Sequence, residues 1–131
     1  MDEIYCENFY DDTNVIELIN KDFNKKKKGF SNKKYIGING IIVFYSNLCS
    51  HCKNSYNTLI NISDIYKNKF NIYTVNCNNL DHRNDYLIRD FKISQYPQYK
   101  LINNNIISDL KFENNNIENF VFVIENNLKI R

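Results

Sequence analysis

The sequence predicts an α/β domain in which a central mixed β-sheet is flanked by helices, and three features carry that prediction. The run Ile41-Ile42-Val43-Phe44-Tyr45 places five strand-forming residues together without a breaker, and a helix-period segment follows through Tyr56, Leu59, Ile60, Ile62, Ser63 and Tyr66. Between the two stand Cys49 and Cys52, spaced Cys-Ser-His-Cys. The single proline, Pro97, lies between a helical pattern that ends near Phe91 and the strand-like run Tyr99-Lys100-Leu101-Ile102. A lone proline at the entry to a strand suggests a special peptide bond.

The remaining elements follow in chain order. Ile4-Tyr5 reads as a short first strand, and Asp12 or Thr13 can cap a helix with apolar positions Val15, Ile16, Leu18, Ile19 and Phe23. The basic stretch at about 24–35 holds Lys25-Lys26-Lys27-Lys28, lacks apolar periodicity and repels itself, so it reads as a solvated loop. Phe70 to Cys77 reads as a buried strand, and Asp81 or Asn84 can open a helix through Tyr86, Leu87 and Phe91. Asn103-Asn104-Asn105 is the expected hairpin turn, because asparagine tolerates left-handed backbone and glycine is scarce. Ile106 to Leu110 continues the ladder. A last helix starting near Asn115 or Asn116 would bury Ile117, Phe120, Val121, Ile124 and Leu128.

A chain of 131 residues fits one domain, 1–131, and 43% hydrophobic with 15% aromatic content can build one core. The net charge of +2 gives no reason to expect nucleic acid as a partner. The acidic start Met1-Asp2-Glu3 lacks the roughly 7–15 apolar residues of a signal peptide, and no run approaches the roughly 20 that span a bilayer. The expectation is a cytoplasmic protein with no membrane partner. In that compartment four cysteines argue for one working pair and two bystanders, Cys6 and Cys77, rather than a disulfide framework. Asn61-Ile62-Ser63 matches a glycosylation sequon but falls on a predicted helix, where chance explains it.

Two cysteines separated by two residues at the first turn of a helix can close a small disulfide ring, and the helix N-terminus favours negative charge on the first sulfur. Cys49 is therefore the candidate nucleophile. The same spacing occurs in zinc sites, where Cys77, His51 or His82 would have to complete the ligand set. Only one close pair exists, so no metal is expected.

The stretch from Phe44 to Lys53, with Ser94-Gln95-Tyr96-Pro97 much later, resembles the thioredoxin family, with protein disulfide isomerase domains its nearest branch. The resemblance spans most of the chain and implies the thioredoxin-like fold. It also implies a thiol-disulfide oxidoreductase, an enzyme with no cofactor whose partners are protein thiols and disulfides and a redox partner. By the same match Cys49 attacks and Cys52 resolves, while Pro97 is cis, faces the dithiol and presents the Tyr96 backbone to a substrate chain. His51 matches the isomerase-type motif and can add a cation or donor beside Cys49, which stabilises the reduced form.

Departures from the family pattern bear on mechanism. Val43 stands where the family keeps a buried acid, and Thr74 where thioredoxin keeps the lysine that partners it. Loss of that proton acceptor predicts slow release of mixed disulfides. Leu48 replaces the tryptophan before the first cysteine and leaves an apolar wall for substrate without the indole donor. The alternative function is a thioredoxin-fold protein-binding module, with weak or no redox turnover, acting through the surface around Tyr96 and Pro97. The asparagine-, lysine- and isoleucine-rich composition suits an AT-rich genome such as that of a large DNA virus, for which packaging in the virion would be a further expectation.

Overall fold

The computed structural model describes residues 10, 12–46, 50–78, 84–110, 122 and 124–126, with the backbone alone for 50–52, 54 and 55. Within them the chain forms β1 (Ile16–Leu18), a 3-10 turn at Asn20–Asp22, β2 (Gly40–Tyr45), α1 (Ser50–Tyr66), β3 (Asn71–Asn76), α2 (Asp85–Asp90), β4 (Gln98–Asn103) and β5 (Ile106–Leu110). The strands make one mixed sheet in the order β1-β3-β2-β4-β5. β1 and β2 both run parallel to β3, whereas β4 is antiparallel to β2 and to β5. This is the thioredoxin-like arrangement.

Every residue of β2 is buried, as expected of a central strand covered on both faces. The pleat sends Ile41, Val43 and Tyr45 toward Leu59 and Ile62 of α1, and Ile42 and Phe44 toward Leu87, Phe91, Phe23 and Phe30 on the opposite face. Full burial of each such side chain contributes roughly 1.5–3 kcal/mol, so the two layers lock the β2 register. A one-residue slip would exchange them.

The helix expected from Val15 to Phe23 is instead β1 and the 3-10 turn. Val15, Ile16 and Ile19 are β-branched and suit extended backbone, and parallel pairing to β3 matches Ile16 with Tyr73 and Leu18 with Val75. Asp22 then blocks helical continuation, because its carboxylate accepts the Ile19 N–H at 2.8 Å and the Asn32 side-chain amide at 2.7 Å.

The basic stretch also differs from a free solvated loop. Although Lys25, Lys26 and Lys28 are exposed, its ends close through a Phe23–Phe30 bridge and the Asn24 N–H to the Gly29 carbonyl at 2.9 Å. The Asn105 side chain clamps it from the β4–β5 turn, accepting the Phe30 N–H at 2.9 Å and donating to the Phe30 carbonyl at 3.2 Å. Asn104 and Asn105 take φ of 52° and 60°, the conformation a two-residue hairpin turn requires. The Ile4-Tyr5 strand, Cys6, His82 and the start of the last helix lie outside the described residues; residues 122 and 124–126 are helical, with Ile124 buried.

Candidate functional site

The carboxyl ends of β2 and β3 and the first turn of α1 meet at one end of the sheet. β2 finishes at Tyr45, Ser46 is buried after it, and α1 opens at Ser50, so His51 and Cys52 belong to the first helical turn. No acidic residue stands in that turn to offset the positive end of the helix. Leu48 and Cys49 lie outside the described residues, and so do the side chains of His51 and Cys52.

The Tyr96–Pro97 peptide bond is cis. It leads into β4, where Gln98 pairs with Phe44. Continuing this antiparallel register by one residue sets Pro97 beside Tyr45, at the end of β2 that feeds α1. Ser94 is tied across the turn by its N–H to the Gln98 side chain at 3.1 Å. The Tyr96 ring is half-buried and packs against the layer beneath α1.

Cys77 follows the last residue of β3, with its N–H bonded to the Tyr45 carbonyl at 2.8 Å. It is a free, partly buried thiol, one residue beyond the strand that the sequence assigned to it. Burial pushes its pKa up to about 12; a hydrogen bond with the Tyr96 side chain pulls the other way, and the charge of Glu17 adds to the rise. Such a thiol stays protonated and inert at neutral pH.

Glu17 is the site residue that the sequence reading missed. In a supposed helix it was one more polar position, but in β1 the alternation separates it from Ile16 and Leu18, which join the opposite layer. Val15-Ile16-Glu17-Leu18-Ile19, four apolar residues around one charge, was the available signal. Glu17 pairs with Thr74, and Thr74 with Val43, so all three occupy one row on the α1 face of the sheet. The Tyr45 hydroxyl donates to the Glu17 carboxylate at 2.5 Å. Val43 itself is buried in the apolar layer beneath α1, and the Thr74 hydroxyl is committed to the Ile16 carbonyl at 3.2 Å.

A five-stranded mixed sheet, a Cys-x-x-Cys spacing that ends in the first turn of α1 and a cis proline at the head of β4 define a thioredoxin-like protein. The thioredoxin family model matches residues 14–125, and the chain belongs to that family. Among solved structures it is similar to thioredoxin f2 of Chlamydomonas reinhardtii, with 19% identity and a TM-score of 0.65 over 89% of this chain and 99% of that one. It is likewise similar to thioredoxin f from spinach chloroplast, with 15% identity and a TM-score of 0.64 over 92% and 97%. The J-Trx1 fragment of ERdj5 is similar at 19% identity and a TM-score of 0.70, over 93% of this chain and 56% of that one. No curated protein matches the chain.

Proposed function

We propose that this protein is a thiol-disulfide oxidoreductase acting on protein substrates through Cys49 and Cys52. The observation that carries the reading is the cis Tyr96–Pro97 bond at the head of β4, whose register sets it beside Tyr45 at the end of β2, the end from which the sequence runs through Cys49 into α1. Cys49 immediately precedes Ser50, where α1 begins with no acid in its first turn, and that position favours a thiolate. The Cys49 thiolate attacks a substrate disulfide, forming a mixed disulfide and releasing one substrate sulfur as thiolate. Cys52 then attacks Cys49, which closes the Cys49–Cys52 disulfide and frees the second substrate sulfur. Run backwards, the same steps oxidise a substrate dithiol.

His51 beside Cys49 would stabilise the thiolate and make the disulfide the stronger oxidant. Leu48, Tyr96 and Pro97 would form the wall and backbone edge against which a substrate chain lies. The test is a trap. Cys52→Ser should accumulate mixed disulfides with protein partners on a non-reducing gel, and Cys49→Ser should accumulate none. Equal capture by both variants, or by the double serine variant, would instead favour a module that binds proteins without exchanging disulfides.

A further inference from the structure

Charge is unevenly spread along this chain. Residues 21–38 hold seven lysines and one aspartate, whereas the whole chain carries a net charge of only +2, so the remainder is net negative. The one acid, Asp22, is buried, and its carboxylate is committed to the Ile19 N–H and the Asn32 side-chain amide. Lys27 is drawn inward toward Asp90 at 4.0 Å. Lys25, Lys26, Lys28, Lys33 and Lys34 are exposed, and none of them has an acidic partner among the described residues.

Self-repulsion extends a free lysine run, yet this one is folded into a hairpin and pinned. The Lys28 N–H donates to the Asn24 side chain at 3.0 Å, and the Lys28 carbonyl accepts the Ile107 N–H of β5 at 2.9 Å. Asn105 adds its two bonds to Phe30. Lys33 and Lys34 lie in a second turn, where the Asn32 side chain accepts the Lys34 N–H at 3.0 Å and the Asn32 carbonyl accepts the Tyr35 N–H at 3.0 Å. The Tyr35 ring meets Phe30 at 5.8 Å and Tyr73 at 5.5 Å, so the two turns share one aromatic base. The Tyr73 hydroxyl bonded to the Ile38 carbonyl and the Asn39 side chain bonded to the Asn104 N–H fix that base at the amino end of β2.

Isoleucines stand exposed among these lysines. Ile36 and Ile38, in the chain that leads into β2, are 46% and 40% exposed, and Ile106, next to Asn105, is 65% exposed. The mixture selects a partner class. Residues 21–38 contain no arginine for bidentate phosphate contacts, and Phe23, Phe30 and Tyr73 are buried, which leaves them unavailable as stacking platforms for bases. Compact lysine charges suit instead the diffuse negative potential of an anionic bilayer, and exposed aliphatic side chains gain by entering its headgroup boundary.

We propose that the amino end of the sheet, with its lysine hairpin and exposed isoleucines, docks peripherally on an anionic lipid bilayer. Docking there turns the opposite end, from which the sequence enters α1, toward solvent. The proposal goes beyond the oxidoreductase reading and does not depend on it. It also departs from the expectation of no membrane partner, which weighed net charge and spanning segments and not the placement of charge. No described helix is long and apolar enough to cross a membrane, in keeping with attachment at the surface.

The test is co-sedimentation of the full chain with vesicles of phosphatidylcholine, with or without phosphatidylserine. Binding is expected to the phosphatidylserine vesicles alone at about 0.1 M salt and to vanish near about 1 M, where the screening length falls to roughly 3 Å. Each lysine near the surface contributes about fivefold, so the triple variant Lys25→Gln, Lys26→Gln, Lys28→Gln should weaken binding about a hundredfold. Ile36→Ser with Ile38→Ser should weaken it about tenfold while keeping its salt dependence. Thermal melts of each variant matching the wild type assign these losses to the surface and not to unfolding. Absence of sedimentation with phosphatidylserine vesicles overturns the proposal, as does equal sedimentation with phosphatidylcholine alone. Retention on duplex DNA or on a polyglutamate column without vesicle binding overturns it in favour of a nucleic acid or an acidic protein. Wild-type vesicle binding by the triple lysine variant overturns the assignment to this surface.

Discussion

The two ends of the sheet are built from different chemistry. At the amino end of β2 and β3 the polar contacts are made by neutral groups: Asn71 donates to the Tyr73 hydroxyl, Tyr73 donates to the Ile38 carbonyl, and Asn39 accepts the Asn104 N–H. Asn105 holds the basic loop there as well. At the carboxyl end stand Glu17, Tyr45, Cys77 and Tyr96, all titratable, beside the first turn of α1. The amino end is a clasp of groups that are neutral at physiological pH, and the carboxyl end holds the carboxylate and the thiol. Stability and chemistry should therefore separate along the length of β2.

The largest expected effect is at the reactive end. Cys49→Ser should abolish disulfide exchange and leave the melting temperature almost unchanged, as assayed by insulin reduction and calorimetry. Loss of folding in that variant would break the separation. The next is at the other end. A Cβ at Gly40 would stand 2.1 Å from the Asn71 carbonyl oxygen and 3.0 Å from the Tyr73 ring. Both neighbours are held in the sheet, so Gly40→Ala should cost about 3 kcal/mol of stability in urea unfolding. The folded fraction should alkylate Cys49 at the wild-type rate.

Asn105→Ala sharpens the comparison further. It removes both bonds to Phe30 and puts alanine at a φ of 60°, for an expected loss of about 2 kcal/mol. Asn105→Gly restores the backbone freedom without the bonds, and should cost about half as much. An equal loss in both would mean that the turn conformation contributes little.

The turn itself was legible in the sequence, because consecutive asparagines between two apolar runs leave few other conformations. So were β2, β3, β4, β5 and α2, whose apolar runs are long or bounded by turn residues. The Val15 to Phe23 segment was not, since Val15, Ile16, Leu18 and Ile19 satisfy a helical stripe as well as a short strand. Only pairing with β3, far away in sequence, decides between them. That misreading concealed Glu17, whose partner Tyr45 lies 28 residues away. The docking of the basic loop was hidden for the same reason: its anchor, Asn105, is 75 residues from Phe30.

The smallest effect is alkaline. Burial raises Cys77 from its ordinary value of 9.0 to about 12, and raises Tyr73 from 10.0 to about 12. In both cases the folded state holds its proton more tightly than the unfolded chain. Their contribution to stability is therefore complete below about pH 9 and is lost as pH climbs toward 12. Unfolding midpoints measured across that window should fall, and Cys77→Ala should make the fall shallower without altering exchange at neutral pH. A midpoint that rises through the window would contradict the burial of both groups.

The central claim is that Cys49 and Cys52 form a reversible dithiol centre. Its most direct test is the equilibrium between that pair and a glutathione redox buffer, read by thiol trapping and gel shift with Cys49→Ser and Cys52→Ser as controls. A single two-electron transition is predicted, near about −180 mV for an oxidant or isomerase and near about −270 mV for a reductant. Absence of any reversible disulfide between these two residues would contradict the account and leave protein binding as the function of the fold.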